Sequence, residues 1–158
     1  MNNGISKWVI SLGLVAMIVI GAGQLWARTA REPDDIGLLD ERLRPCVSFE
    51  NCVTSDGAAG EGNIDPLKCG ILLGQPLFQA VRDALLTLPR TGVVTETDTY
   101  LHAVVRSAFF GFQDDVELRL AGNNESVHIR SESRLGQGDL GVNAARVEDL
   151  RATLTATC

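Results

Sequence analysis

Charged and apolar residues keep a period of two through most of the chain between Tyr100 and Glu132, and that beat constrains the fold more than any other feature. Side chains alternate between the two faces of a strand, so residues two apart share a face. Leu101, Ala103 and Val105 fall on one face of a first strand, and Tyr100, His102, Val104 and Arg106 on the other. In a second strand Val116, Leu118 and Leu120 alternate with Asp115, Glu117 and Arg119. In a third, Val127 and Ile129 alternate with His128, Arg130 and Glu132. One wet and one dry face, with short connections, is the signature of an antiparallel sheet whose dry face needs helices to cover it.

Two helical stretches are available for that cover. From Gln75 to Pro89 the residues Leu77, Val81, Ala84, Leu85 and Leu88 recur at three- and four-residue steps, with Pro76 suited to a first turn and Pro89 to a stop. A second helix is expected from Asn143, a good N-cap residue, burying Val147, Leu150 and Leu154 while Arg151 keeps its head group in water. TGVVTETD reads as a further short strand, turning at Asp98–Thr99 into the Tyr100 strand. The predicted fold is α+β: an antiparallel sheet of about four strands covered on one face by two helices.

The first 31 residues are a different material. After Lys7 the run WVISLGLVAMIVIGAGQLW (8–26) carries no charge until Arg28. About 20 apolar residues match the ~30 Å hydrocarbon core of a bilayer. The run is long for the apolar region of a signal peptide and lacks a convincing A-x-A site, so an uncleaved single-pass anchor is favoured over a cleaved signal. Basic residues flank both ends, leaving the positive-inside rule close to balance. The short amino terminus and the downstream cysteines place the soluble body outside the cytoplasm, on the periplasmic side. Three of the 14 basic residues belong to this segment, which leaves 11 against 20 acidic ones and a formal charge of −9 on the body. With no basic patch and no aromatic platform, nucleic acid is not an expected partner.

Residues 32–66 read as a linker and irregular entry segment, with EPDDIGLLDERLRP charged and Pro-bounded and TSDGAAGEGNIDP a surface loop. Residues 67–158 form the domain proper. The four cysteines, Cys46, Cys52, Cys69 and Cys158, are disulfide candidates in an exported chain. Four cysteines allow three connectivities; Cys46 with Cys52 and Cys69 with Cys158 is favoured, since the second bridge closes a long loop. A zinc knuckle would need C-x2-C spacing, which is missing.

Three constellations carry chemical interest. Gly136, Gly138 and Gly141 spell G-x-G-x-x-G, but a dinucleotide fold needs a parallel strand after the helix, and Asp139 would repel the pyrophosphate. On the polar face, His102, Arg106, Glu117, His128 and Arg130 are candidates for binding a small polar or anionic ligand. The same face supports a two-histidine, one-carboxylate metal site or an acid/base pair as alternatives, and a solvated face of cross-strand ion pairs as the plain reading. Asp114, Asp115, Arg134, Asp139, Asn143, Arg146 and Glu148 gather at strand ends and the helix start as a structural polar cluster. No catalytic residue, metal ligand or cofactor is assigned.

Five motifs together resemble a known family: Asn51-Cys52-Val53-Thr54-Ser55, Tyr100-Leu101-His102-Ala103, Phe112-Gln113-Asp114-Asp115-Val116-Glu117, Arg130-Ser131-Glu132-Ser133-Arg134, and Asp139-Leu140-Gly141-Val142-Asn143 with Arg146 and Glu148. The chain is similar over 46–154 to the domain of unknown function 1499. One departure is Val104, where members of that family often carry a Glu after the His-Ala pair; any role of that Glu is absent here. The resemblance supports domain boundaries and implies no activity. The sequence thus predicts a membrane-anchored envelope protein, a non-enzymatic binding or structural module. Its partner would be another envelope protein or a small polar or lipid-derived ligand. The alternative is a metal-dependent or acid/base hydrolase using His102, Glu117 and His128.

Overall fold

The computed structural model describes residues 3–56 and 64–158; the glycine-rich part of the expected surface loop, 57–63, lies outside them. The elements run α1 (Asn3–Arg28), β1 (Leu38–Leu39), β2 (Arg42–Leu43), β3 (Cys52–Thr54), α2 (Gly74–Thr87), β4 (Thr91–Glu96), β5 (Tyr100–Arg106), β6 (Gln113–Leu120), β7 (Val127–Ser133) and α3 (Val142–Thr157). The fold is α+β. Its main sheet is antiparallel with strand order β3-β7-β6-β5-β4, five strands rather than about four. The added strand, β3, is only three residues long, and its pairing with Arg130–Glu132 defines it.

The dry face holds the core. Leu101, Ala103, Val116, Leu118, Val127 and Ile129 are fully buried against α2 and α3. Helix α2 contributes Leu77, Phe78, Val81, Ala84 and Leu85, and α3 contributes Val147, Leu150 and Leu154. These are the residues of the 3.6-residue stripes, extended by Phe78. Two disulfides, Cys46–Cys52 and Cys69–Cys158, match the favoured pairing. The second ties the end of α3 to the chain entering α2, across a sequence separation of 89.

Helix α1 includes Trp8–Arg28, long and apolar enough to cross a membrane, and residues 8–22 of that stretch are exposed. Its last turn is fixed to the sheet. Ala27 is fully buried, and Gln113 Nε2 donates toward the carbonyls of Ala27, Arg28 and Ala30 at 3.4, 2.9 and 3.3 Å. Beyond it, residues 29–44 do not run free. They cross the polar face as a strap whose β1–β2 hairpin turns at Asp40 and Glu41, both in the left-handed region at φ +50° and +62°. Two successive positive φ angles are what a two-residue hairpin turn of type I′ requires.

Candidate functional site

The strand register arranges the polar face in rows. Arg106 faces Gln113, with Arg134 beyond it. Val104, Asp115, Glu132 and Cys52 form the second row, His102, Glu117, Arg130 and Thr54 the third, and Tyr100, Arg119 and His128 the fourth. The alternation places these residues on one face, as read from the sequence. The expected wetness is overturned: His102, Glu117 and Arg130 are at most 1% exposed, and Asp115 is 2% exposed. The strap is the physical reason. It runs the length of the strands from the Gln113 end to the Arg119 end, and it docks through polar contacts that the face itself supplies.

Three buried networks result. At the end near α1, His102 Nε2 lies 2.7 Å from Asp115 Oδ1, and Arg134 grips the same carboxylate with Nε and Nη2, both at 2.7 Å. Burial alone would raise the Asp115 pKa, but the hydrogen bonds from His102 and Arg134 outweigh it and hold the carboxyl below its usual range. In the middle, Glu117 accepts three donors: Tyr100 Oη at 2.6 Å, the strap's Gly37 N–H at 2.8 Å and Arg130 Nη1 at 2.9 Å. Arg130 also donates to Asp35 Oδ2 of the strap at 2.6 Å and to Glu132. Burial pushes the Tyr100 hydroxyl up, and it pushes the Glu132 carboxyl up despite the opposing charge of Arg130.

At the far end Asp56 is the hub. It accepts from Arg119 Nε at 2.7 Å, Arg119 Nη2 at 2.8 Å, the strap's Leu43 N–H at 2.8 Å and Arg42 Nε at 3.2 Å. Burial raises its pKa, and these partners, Arg119 first, bring it below the ordinary value. His128 sits beside it, with Nδ1 3.0 Å from Ser55 O and 3.6 Å from Asp56 Oδ1. Its pKa is lowered, because burial outweighs the pull of Asp56. The sequence reading missed both Asp56 and the strap. Asp56 ends the TSD triplet, where nothing periodic marks it.

The five candidate ligand residues are therefore not one open site. His102, Glu117 and Arg130 share a buried row, which the strap meets at Glu117 and Arg130. His128 lies one row and two strands away from His102 and belongs to the Asp56 hub. Arg106 stays exposed at the row end, 3.5 Å from Gln113 Oε1. Among the described residues, no group of three or more His, Cys, Asp or Glu side chains is arranged to hold a metal ion.

The seven-residue polar cluster is likewise divided between faces. Asp115 and Arg134 lie under the strap. Asp114 lies on the helix face, where it accepts from Arg146 and from Ser133 Oγ at 2.6 Å. Asn143 does not cap α3: the N-cap is Gly141 at φ +80°, and Asn143 sits inside the first turn, fully buried. Its Oδ1 accepts from Ser131 Oγ at 2.6 Å and Arg146 Nη1 at 2.5 Å. Its Nδ2 donates to Asn51 O at 3.1 Å and Ser133 Oγ at 3.0 Å. Capping comes from Asp139, whose carboxylate accepts the N–H groups of Gly141 and Asn143, each at 2.8 Å. Those backbone bonds lower its pKa against the opposing effect of burial. Glu148 points outward, 3.4 Å from Arg151 Nε.

The model of a family described as a protein of unknown function, DUF1499, matches residues 42–154. The chain belongs to that family. The match spans β2 through most of α3, so it takes in the main sheet, both covering helices and the sheet side of the three buried networks, whereas α1 and the first part of the strap, with Asp35 and Gly37, precede it. No curated protein matches the chain. Val104 is 2% exposed and paired in register with Asp115. In this DUF1499 member the residue beside Asp115 is thus a buried valine, and the Asp115 carboxylate is held by His102 and Arg134.

Proposed function

We propose that the protein is a non-enzymatic envelope module, anchored in the membrane by Trp8–Arg28 with its acidic domain outside the cytoplasm. The observation that carries this reading is the strap. The chain leaves α1, bonds at once to Gln113 and Arg134, and then covers the side chains from which acid/base chemistry could have been assembled. Buried groups that satisfy one another act as structural keystones, and a substrate would have to displace the strap to meet them. The same contacts leave no slack between helix and sheet, so the domain would be held at a set height and tilt above the bilayer. On this reading the folded unit begins at the strap, well before Leu67. The two disulfides and the absence of free cysteines suit an oxidising compartment.

The test is replacement of the gene by variants. His102→Gln and His128→Gln proteins that accumulate to the normal level should do the work of the wild type. A variant that accumulates and folds, yet fails, would mark an enzyme instead. In parallel, cysteines in protein taken from cells without reductant should resist alkylation; free thiols would place the domain in a reducing compartment.

A further inference from the structure

The end of the sheet next to α1 carries apolar side chains that the domain's own packing does not use. The β5–β6 loop folds back along the helix: Gln24 Nε2 donates to Phe109 O at 3.0 Å, and a Cβ on Gly23 would lie 4.0 Å from the Phe110 ring. Gly23 is five residues before Arg28, so the loop tip reaches about 7.5 Å along the helix from its basic end at 1.5 Å per residue. Phe109 and Phe110 nevertheless remain 61% and 37% exposed, beside Trp26 at 60%. A second loop adds Leu140. It is fully exposed, and its backbone is in the left-handed region at φ +56°, with Gly141 at +80° behind it. A branched apolar residue in that conformation costs energy that is tolerated chiefly where a function is served. The Asp139 bonds hold the turn in place.

Between the two loops lies a cleft of about 390 Å³, walled by Trp26, Phe112, Leu135, Leu140 and Val142. That volume is in the range of small-molecule sites. The two aspartates that line it are already engaged, Asp114 by Arg146 and Ser133 and Asp139 by the start of α3. An uncharged chain entering the cleft would meet no unpaired charge.

Resting on the membrane-anchored reading above, we propose that this end of the domain is a lipid-contacting surface. Phe109, Phe110 and Leu140 enter the headgroup–acyl boundary, and the acyl chain of a bilayer phospholipid occupies the cleft. Continuity decides the occupant. Trp26 belongs both to the apolar helix and to the cleft wall, so whatever solvates the helix at that level also fills the cleft. The depth set by Gly23 falls within the roughly 5–10 Å to which interfacial apolar faces sink. Aromatic side chains at that level are the usual membrane-interface anchors.

The test uses the full-length chain in phosphatidylcholine vesicles brominated either near the carbonyl end or near the methyl end of the acyl chain. Tryptophan fluorescence is read in three proteins: Trp8→Phe, which reports from Trp26; Trp8→Phe/Trp26→Phe/Leu140→Trp, at the rim; and Trp8→Phe/Trp26→Phe/Phe112→Trp, in the wall. The expected result is quenching of all three by the shallow label, with the rim and wall reporters quenched as strongly as Trp26. Quenching of Trp26 with the rim and wall reporters untouched overturns the lipid-contact proposal and leaves anchoring intact. Quenching at the rim without the wall overturns occupancy of the cleft. No quenching of Trp26 overturns anchoring and the proposal together. Leu140→Asn keeps the test independent of folding: Asn accepts the left-handed backbone readily, so the variant should melt no lower than wild type while the wall reporter loses its quenching.

Discussion

Replacing Arg130 with Met should unfold this protein far more easily than loss of any exposed ion pair. The Arg130 guanidinium is 1% exposed and serves three carboxylates, those of Glu117, Asp35 and Glu132. Methionine fills much of the volume and leaves Glu117 with only Tyr100 and the Gly37 N–H. Glu132, already pushed up by burial, is left among Asp35, Asp115 and Glu117 without its compensating charge. Removing one partner of a buried pair costs about 3–5 kcal/mol. Against a domain stability of roughly 5–15 kcal/mol that is a large share. At around 4 °C per kcal/mol for a domain of this size, the melting temperature should fall by roughly 12–20 °C. The assay is thermal unfolding of the detergent-solubilised full chain by near-UV circular dichroism, with Arg82→Met as control. Arg82 pairs with Glu96 at 2.6 Å on the surface, where water screens the pair, so the control should melt with the wild type. The deficit should also shrink toward the carboxylate range, because protonation relieves the stranded acids. Glu117→Gln in the Arg130→Met background should recover part of it. A loss below about 1 kcal/mol, or one that is flat with pH, would refute the reasoning, since surface pairs alone reach that size.

Other perturbations have definite signs. Cys69→Ser with Cys158→Ser opens a loop spanning a sequence separation of 89 and should cost up to roughly 4–5 kcal/mol in the chain-entropy model, read as a lower denaturant midpoint with a steeper slope, because the unlinked unfolded chain is more extended. Asp56, Asp115 and Asp139 have lowered pKa values in the fold, so each contributes stability present above the unfolded value of 3.8 and lost as pH falls through the folded value. Glu132 is raised and acts in the opposite sense, its contribution disappearing as pH rises past 4.5 and through its folded value. Acid unfolding should therefore be steepest below 3.8 and be dominated by the three aspartates. His128 is lowered, so stability should be full above 6.5 and decline as pH falls from there to its folded value; His128→Gln should flatten that part of a melting-temperature-against-pH curve. Gly111→Ala should loosen the β5–β6 loop from α1, because φ is +76° and the new Cβ would lie 2.9 Å from Arg28 Cγ. Proteolysis near Phe109 in the solubilised protein reads this directly.

What could be read from the chain followed from periodicity. The alternation from Tyr100 to Glu132 fixed the strands and their faces, and the stripes at Leu77–Leu85 and Val147–Leu154 found the helices that cover the dry side. The state of the polar face depended on residues with no period. Gly37 and Asp35 meet partners 80 and 95 positions away, through one backbone N–H and one carboxylate. Single contacts of that span leave no pattern along a sequence, so His102, Glu117 and Arg130 looked solvated. The three residues of β3 are too few to alternate, and the bulk of the Asp56 hub arrives from elsewhere. Asn143 misled for a different reason. It has the chemistry of a cap, but Ser131, Ser133 and Arg146 gather around its amide inside the helix, and Asp139 caps instead. The cleft at Trp26 brings together side chains from α1, the β5–β6 loop and the turn before α3, which only the folded chain places side by side.

The central claim is that the strap seals the polar face. The measurement that tests it most directly is hydrogen exchange at the Gly37 and Leu43 amides of the full chain, whose acceptors are Glu117 and Asp56. A sealed face predicts exchange as slow as that of the neighbouring β6 amides, released only by unfolding of the sheet. Exchange at the rate of an unprotected loop, with β6 still protected, would mean that the strap stands open and that His102, Glu117 and Arg130 face solvent.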